Sequence, residues 1–365
     1  MFDPAQTVLI TGIAGNLGAR LLPQLPDWQI VGLDLKPPDV ALPLRFEPLD
    51  LGEEASCWRL VELLRETQAE TVVHLAFVID PVRTGVFDLD RMWRINVAGT
   101  ARVAEAIALV NRTGGNVKKF VFLSSVSAYG SDLPRAVTED FPLGGHTLPY
   151  AVHKRESDNV VRARAGSLGD CSTYILRPHI FAGASMQNYL IAILRNTPYG
   201  EGRLGRWLRR RGIRLPALLP FGRKYLETRF QFVHVDDVAR LIAFILRRRE
   251  TKPEVVVLNV TGSGEPLSFR RCAQIGGTKV LRLPGHIGCR YALRLVWNLG
   301  ISCVPPEAEP YFTGSYCMDT SRLREFLGND YENVIRYTIE AALADSFTVT
   351  AQAGAPVAQT VAAGR

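Results

Sequence analysis

A chain of 365 residues, 47% of them hydrophobic, is long enough for one large α/β domain or two unequal ones around a sizeable core. The net charge of +7 does not call for a nucleic-acid partner, because no recognised nucleic-acid module occurs and a solvated surface or an anionic cofactor accommodates the excess. The cysteines, Cys57, Cys171, Cys272, Cys289, Cys303 and Cys317, form no C-x-x-C pair and have no neighbouring histidine cluster. That pattern argues against zinc and against a disulfide framework, and it fits a reducing compartment.

Met1-Phe2-Asp3-Pro4 leads directly towards a strand, so no signal peptide is expected. No apolar run reaches the roughly 18 to 20 residues of a membrane span. The expectation is a soluble cytoplasmic protein.

The first strand, Thr7-Val8-Leu9-Ile10, runs into Thr11-Gly12-Ile13-Ala14-Gly15-Asn16-Leu17-Gly18 and then the helix-like Ala19-Arg20-Leu21-Leu22. Strand, glycine turn and helix in that order suit a dinucleotide pyrophosphate. Gly12 allows the tight turn, Gly15 the approach of phosphate to backbone, and Gly18 close packing of helix on strand. The spacing is G-x-x-G-x-x-G rather than the commoner G-x-G-x-x-G. Gln29 to Asp34 reads as a second strand ending in an acid, where Asp34 can bond the adenosine ribose hydroxyls and repel the extra phosphate of NADP. NAD is therefore favoured, with the nearby Lys36 keeping NADP open.

Phe46 to Leu51 closes a short strand, with Asp50 placed to reach adenine. Residues 53–66 have the spacing of an amphipathic helix, and Thr71-Val72-Val73-His74-Leu75-Ala76 that of a strand. Helical spacing runs from Asp90 to Asn111 with Asn96 inside it. Lys119 to Ser124 is a buried strand entering Ser124-Ser125-Val126-Ser127-Ala128-Tyr129-Gly130. A loop with Pro134, Pro142, Gly144, Gly145 and Pro149 precedes a helix from Tyr150 to about Arg164, and Thr173 to Arg177 is a sixth strand stopped by Pro178. This alternation predicts a parallel sheet covered on both faces.

Beyond it, Met186 to Arg195 is expected to be helical and residues 201–229 irregular. Gln231 to Val235 reads as a short strand, with Asp236 or Asp237 capping a helix through Arg248. A strand over Val255 to Val260, a helix over Leu267 to Ile275 and a strand over Lys279 to Leu283 follow. Helices over 286–299 and 332–344 and a disordered tail from about Thr348 complete the chain. There is no internal repeat.

Tyr150 and Lys154 lie four apart at a helix start, so their side chains share a face. A tyrosine titrates near pH 10, too high for a base at neutrality, and an ammonium one turn away favours its phenolate. Ser125, at the end of the neighbouring strand, can hold a substrate oxygen against that phenol. The three together can take a proton from a secondary alcohol while hydride leaves for a nicotinamide.

These residues, with His74-Leu75-Ala76, Asn96 to Thr100, Tyr129-Gly130, Arg177-Pro178 and His234-Val235-Asp236-Asp237, resemble the extended short-chain dehydrogenase/reductases, which include NAD-dependent sugar epimerases and 3β-hydroxysteroid dehydrogenases. The resemblance covers about residues 5 to 345. It implies an α/β fold: a Rossmann-type doubly wound sheet over 1–180, a smaller substrate-binding region over 181–347 whose stretch around 230–249 returns to the first part, and a tail over 348–365. It implies Ser125, Tyr150 and Lys154 as catalytic, with Asn96 supporting them. Cofactor contacts would come from Gly12, Ala14, Gly15, Asn16, Leu17, Gly18, Asp34, Asp50, Leu51, Leu75, Ala76, Tyr150, Lys154 and Pro178. A homodimer through helices around 92–109 and 150–164 is also implied.

Two departures narrow the substrate. The dehydratase branch carries Thr followed by Asp-Glu where this chain has Ser125-Val126-Ser127. Sugar-nucleotide epimerases usually carry Asn where Ile180 stands, three residues after Arg177. The chain is thus closer to the hydroxysteroid-dehydrogenase-like branch, with a bulky apolar alcohol or ketone as substrate. A nucleotide-sugar epimerase using the same residues is the alternative, and a non-catalytic NAD-binding regulator a third. The basic stretch Arg203 to Arg214, interleaved with Leu204, Trp207 and Leu208, fits a solvated loop, a membrane-surface segment or a phosphate-binding lid. His146, His153 and His179 read as structural, with His179 the one able to face substrate.

Overall fold

The computed structural model describes residues 6–39, 43–79, 88–144, 148–249 and 252–348. Seven parallel strands form one sheet: β1 (Thr7–Thr11), β2 (Gln29–Asp34), β3 (Arg45–Pro48), β4 (Thr71–His74), β5 (Lys119–Leu123), β6 (Ser172–Pro178) and, later in the chain, β11 (Val255–Val260). Their spatial order is β11-β6-β5-β4-β1-β2-β3. The order reverses between β1 and β4, and a cleft opens at such a switch point beyond the carboxyl ends of the strands. The continuous apolar character of β1, β4, β5 and β6 follows from burial on both faces.

On one face, α1 (Asn16–Leu21) and α9 (Val235–Arg247) close a core around Ile10, Leu21, Val73, Leu241 and Ile245. On the other lie α2 (Ser56–Thr67) and α4 (Gly99–Arg112), packed around Leu9, Leu64, Ile107 and Phe120, with Val161 of α5 (Pro149–Ala165). The helix expected over 90–111 is a composite: α3 (Leu89–Trp93), a π turn over Arg94–Ala98, then α4. Asn96 sits in that π turn.

After β6 the chain adds β7 (Ile180–Ala182), α6 (Tyr189–Leu194), α7 (Arg203–Arg210), β8 (Ala217–Pro220), α8 (Arg223–Leu226), β9 (Arg229–Phe230) and β10 (Phe232–His234) before α9. Beyond β11 come β12 (Leu267–Ser268), α10 (Phe269–Gly276), β13 (Val280–Leu283), α11 (Gly285–Asn298), α12 (Pro310–Thr313), α13 (Ser321–Leu327), α14 (Tyr331–Val334) and α15 (Ile339–Asp345). Pairs β7–β10, β9–β12 and β8–β13 make small satellite sheets. A third core around Phe230, Phe232, Phe269, Tyr316 and Leu343 holds these pieces together.

Three expectations are corrected. Residues 201–229 are not irregular: α7, β8 and α8 occupy them. The cap of α9 is His234, whose Nδ1 accepts from the Asp236 N–H at 3.1 Å, while Asp237 points inward. Its carboxylate accepts the Arg336 and Tyr337 N–H groups at 3.2 and 3.1 Å. Those bonds, with Thr338 capping α15, split the helix expected over 332–344 into α14 and α15. α13 had no counterpart among the sequence expectations. The tail beyond Thr348 lies outside the described residues.

Candidate active site

The glycine turn follows β1 at the switch point. Gly12 has φ +74°, its N–H donates to the Leu33 carbonyl at 2.8 Å, and a Cβ there would lie 2.5 Å from the Ala76 nitrogen. Only glycine fits between β1 and the chain leaving β4. A Cβ on Gly18 would meet the Ile13 carbonyl oxygen at 2.3 Å, so that glycine serves the packing of α1 on the turn. Gly15 differs: a Cβ there meets only the Gly12 carbonyl, at 3.2 Å. The space above it is therefore open to a ligand.

Asp34 ends β2 beside this turn, its Oδ2 accepting from the Ala14 N–H at 3.0 Å and its Oδ1 from the Leu35 N–H at 2.7 Å. Burial raises its pKa against those two bonds. Asn16 donates from Nδ2 to the Ser185 carbonyl at 3.1 Å, tying the turn to the loop after β7. Asp50 accepts from the Gly52 N–H at 2.8 Å and pairs with Arg91 at 3.4 Å, beside the buried Leu51. Leu75 and Ala76 continue β4 past the turn, with Leu75 N–H donating to the Thr11 carbonyl at 3.0 Å. His74 behind them bridges the Thr11 and Thr100 hydroxyls, at 2.6 and 3.0 Å, and burial lowers its pKa to about 3, leaving it neutral.

The structure brings Ser125, Tyr150 and Lys154 together at the ends of β5 and β6. Ser125 and Ser127 hydrogen-bond the Tyr150 hydroxyl, and the Ser127 hydroxyl donates to Ser125 Oγ at 2.9 Å. Burial nevertheless raises the Tyr150 pKa above its ordinary value. Lys154 is buried, donating from Nζ to the Leu123 carbonyl at 2.6 Å and lying 3.5 Å from the Phe77 ring centroid. Burial lowers its pKa to about 7, against the pull of Asp158 one turn further along α5.

Asn96 acts on the neighbouring chain: its Oδ1 accepts from the Val78 N–H at 2.7 Å, and its Nδ2 donates to the Val78 carbonyl at 2.9 Å. The clamp fixes the segment that carries Phe77, whose ring stands edge-on to Tyr150 at 5.9 Å. Phe77 and Ser127 were not singled out in the sequence. Their signal was adjacency: Phe77 follows Leu75-Ala76, and Ser127 lies two residues beyond Ser125.

Beneath the site lies a buried ionic network. Arg177 grips Asp158 with two bonds, Nε to Oδ2 at 2.9 Å and Nη2 to Oδ1 at 2.8 Å, both side chains fully enclosed. Ser124 Oγ donates to the same carboxylate at 2.6 Å, and Arg177 Nη1 to the Tyr129 hydroxyl at 2.7 Å. Burial opposes the guanidinium charge, yet Asp158 outweighs it and the Arg177 pKa rises. The Arg-Pro and Tyr-Gly positions of the sequence pattern thus form a floor joining β5, β6 and α5.

Above Ser125, Tyr150 and Lys154 is a cavity of about 310 Å³ between the sheet and the later elements. Pro178 and His179 line it at the end of β6, facing Phe181, Tyr189, Tyr199, Tyr311 and Phe312. His179 is committed: Nδ1 accepts from the Ile180 N–H at 2.9 Å, Nε2 bonds the Tyr316 carbonyl at 3.1 Å, and the ring stacks on Tyr316. Burial lowers its pKa to about 3, so it is no acid or base here. His153 packs edge-on to Trp93 and bonds Asn96. His146 and Gly145 lie outside the described residues. Among the described residues, no cluster able to hold a metal ion and no helix long and apolar enough to cross a membrane occurs.

Solved structures similar to this one include the UDP-Glc/GlcNAc 4-epimerase of Campylobacter jejuni (21% identity, TM-score 0.64, covering 94% of this chain and 98% of that one). MoeE5, solved with UDP-glucuronic acid and NAD, is similar at 22% identity and TM-score 0.62, over 93% and 97% of the two chains. At these identities the likeness is one of fold. An uncharacterized epimerase/dehydratase of Staphylococcus aureus (strain USA300) is 23% identical over 151 residues, 40% of this chain and 44% of the relative, so the match spans less than half the length of that curated protein. The model of the NAD dependent epimerase/dehydratase family matches residues 8–260, from β1 to the end of β11. On that match and this architecture, the chain belongs to the NAD-dependent epimerase/dehydratase family, an enzyme family of the short-chain dehydrogenase/reductase type with NAD as cofactor.

Proposed function

We propose that this chain is an NAD-dependent oxidoreductase that interconverts a secondary alcohol and a ketone on a bulky, apolar substrate. The observation that carries this reading is the lining of the 310 Å³ cavity over Tyr150: mostly aliphatic and aromatic side chains, with Ser124, Ser125, Ser127, Gln187 and Asn188 as neutral polar members and Lys154 the one cation among the described lining residues. A nucleotide diphosphate buried there would lack the cations that such a group needs.

The residues of the cleft fit NAD. Gly15 leaves room for phosphate at the turn, and the two N–H bonds to Asp34 leave lone pairs free for ribose hydroxyls. Asn16, Leu17, Asp50, Leu51, Leu75, Ala76 and Pro178 would complete that cleft. Bound NAD supplies the hydride acceptor and a positively charged ring. Tyr150 takes the hydroxyl proton of the alcohol, or returns it to the ketone oxygen in the reverse direction. Ser125 holds that oxygen, Ser127 holds Ser125, and Lys154 in its charged form favours the phenolate. Asn96 acts through Val78 by fixing the Phe77 segment.

The substrate-binding part is residues 181–347, and the proposal extends to the surroundings. Leu204 and Trp207 are exposed beside the arginines of α7, which supports contact with an anionic membrane surface. A homodimer and a cytoplasmic location belong to the same reading. The epimerase alternative is supported by the fold likeness to nucleotide-sugar enzymes over 93% of the chain. Purified protein with NAD and separate panels of apolar secondary alcohols and nucleotide sugars distinguishes the two. Net NADH with an apolar alcohol, lost in Tyr150→Phe, is the expected result; epimer formation from a nucleotide sugar without net NADH would replace this reading.

A further inference from the structure

A second cavity of about 270 Å³ adjoins the first. Tyr199 and Phe312 line both, so these two rings are a shared wall. Its other surfaces come from β8, β13 and the inner side of α11, with Leu218, Leu281, Leu293 and Val296 facing in.

Asn196, Glu309 and Ser302 on its lining already have partners. Asn196 exchanges two bonds with the Lys279 backbone, at 3.0 and 2.7 Å. Glu309 bonds His286 Nδ1 at 2.8 Å, and Ser302 Oγ accepts from the Val304 N–H at 3.0 Å. Cys289 is no nucleophile, because burial pushes its thiol up to about 11. A ligand here meets hydrocarbon and aromatic surface, which selects for hydrocarbon.

The roof adds an independent observation. An ordinary surface helix is apolar on its inner side and polar on its outer side. α11 is apolar on both: Leu293 and Val296 face the cavity, while Ile287, Tyr291 and Leu295 are 74%, 71% and 59% exposed, with Arg290 and Arg294 on the same outer stripe. Apolar side chains interleaved with arginine suit the boundary of an anionic lipid layer.

We infer that the cavity beneath α11 holds the hydrocarbon chain of the substrate, a long alkyl or isoprenoid chain that passes Tyr199 and Phe312 and presents its secondary alcohol or ketone to Tyr150. The inference rests on the oxidoreductase reading above for the reacting end, but its binding site is testable apart from turnover.

The test uses the full chain and cis-parinaric acid, a polyene fatty acid whose fluorescence rises in an apolar site. Leu293→Trp and Val296→Trp each fill the cavity from α11, with NAD affinity and thermal midpoint reporting that the variants fold. Wild type and Tyr150→Phe should bind the probe alike, and each filled variant should bind at least about tenfold more weakly, the equivalent of losing two or more buried methylenes. Equal binding by wild type and filled variants, or no binding by wild type, would overturn the inference. In parallel, kcat/KM for secondary alkanols from hexanol to tetradecanol should rise about threefold to fourfold per added methylene in wild type and level off earlier in the filled variants. Probe binding that responds to the filled variants, without oxidation of any alkanol, would contradict the oxidoreductase reading and leave the chain-binding site standing.

Discussion

At the residue scale, Lys154 and Tyr150 are held in tension by burial. A side chain that donates to the Leu123 carbonyl and stacks on Phe77 has lost most of its water, and with Asp158 one turn away its pKa still falls to about 7. The unfolded chain titrates this lysine near 10.4. Between the two values the unfolded state binds more protons, so this group makes stability rise as pH increases from about 7 towards 10 and costs stability in full below 7. Lys154→Met removes the titration. The stability advantage of Lys154→Met over wild type should therefore shrink from pH 7 to pH 10, by up to about 1.4 kcal/mol per pH unit at the steepest. Thermal melts of the apoprotein across that range check it; a difference independent of pH would mean that Lys154 keeps its charge. The Tyr-Lys pair was legible because both residues lie on one helix, where spacing alone sets geometry. The network around Arg177 was not: its partners Asp158 and Tyr129, and Ser124 on the same Asp158 carboxylate, come from different elements, and nothing local joins them.

At the element scale, α7 is the clearest case of a helix hidden by composition. Its arginines and two glycines, Gly202 and Gly205, read as a solvated loop, yet the segment is helical because it docks on the end of α11. Gly202 N–H donates to the Gly300 carbonyl at 3.0 Å, and a Cβ on Gly205 would lie 2.4 Å from that same oxygen. Two opposed effects meet at Gly205. Alanine would favour the helix by about 1 kcal/mol. The clash is with backbone, which cannot swing aside as a side chain would, and overpacking of that kind costs about 1–3 kcal/mol. Gly205→Ala should therefore lower the thermal midpoint, and a midpoint unchanged or raised would show that α7 is not docked on Gly300. The break between α14 and α15 has a similar origin. It depends on the carboxylate of Asp237, about a hundred residues earlier in the chain, which no window of local sequence contains.

At the scale of the whole molecule, the parallel sheet and its two covering layers of helices were readable from the alternation of apolar strands with amphipathic helices, up to β6. Past that point the strands shorten to two to six residues, pair across long separations and lose their rhythm. The satellite sheets and the two adjoining cavities emerge only in three dimensions. The switch point between β1 and β4 makes a further demand on the complete fold. A ligand that binds only the folded chain stabilises it by about 2.7 kcal/mol at 100 times its dissociation constant. NAD should raise the thermal midpoint accordingly, and NADP at equal concentration should raise it less, because the proposed site sets Asp34 against the ribose, where it would repel the extra phosphate. Equal shifts with the two cofactors would mean that Asp34 does not face the ribose.

The central claim is that hydride leaves a secondary alcohol carbon while Tyr150 takes the hydroxyl proton. The most direct test follows a label. A secondary alkanol deuterated at its carbinol carbon is incubated with NAD and wild-type protein, and the reduced cofactor is read by mass spectrometry. The account predicts deuterium in the reduced nicotinamide with wild type and none above background with Tyr150→Phe. Unlabelled cofactor from wild type, together with epimerised product from a nucleotide sugar, would contradict it.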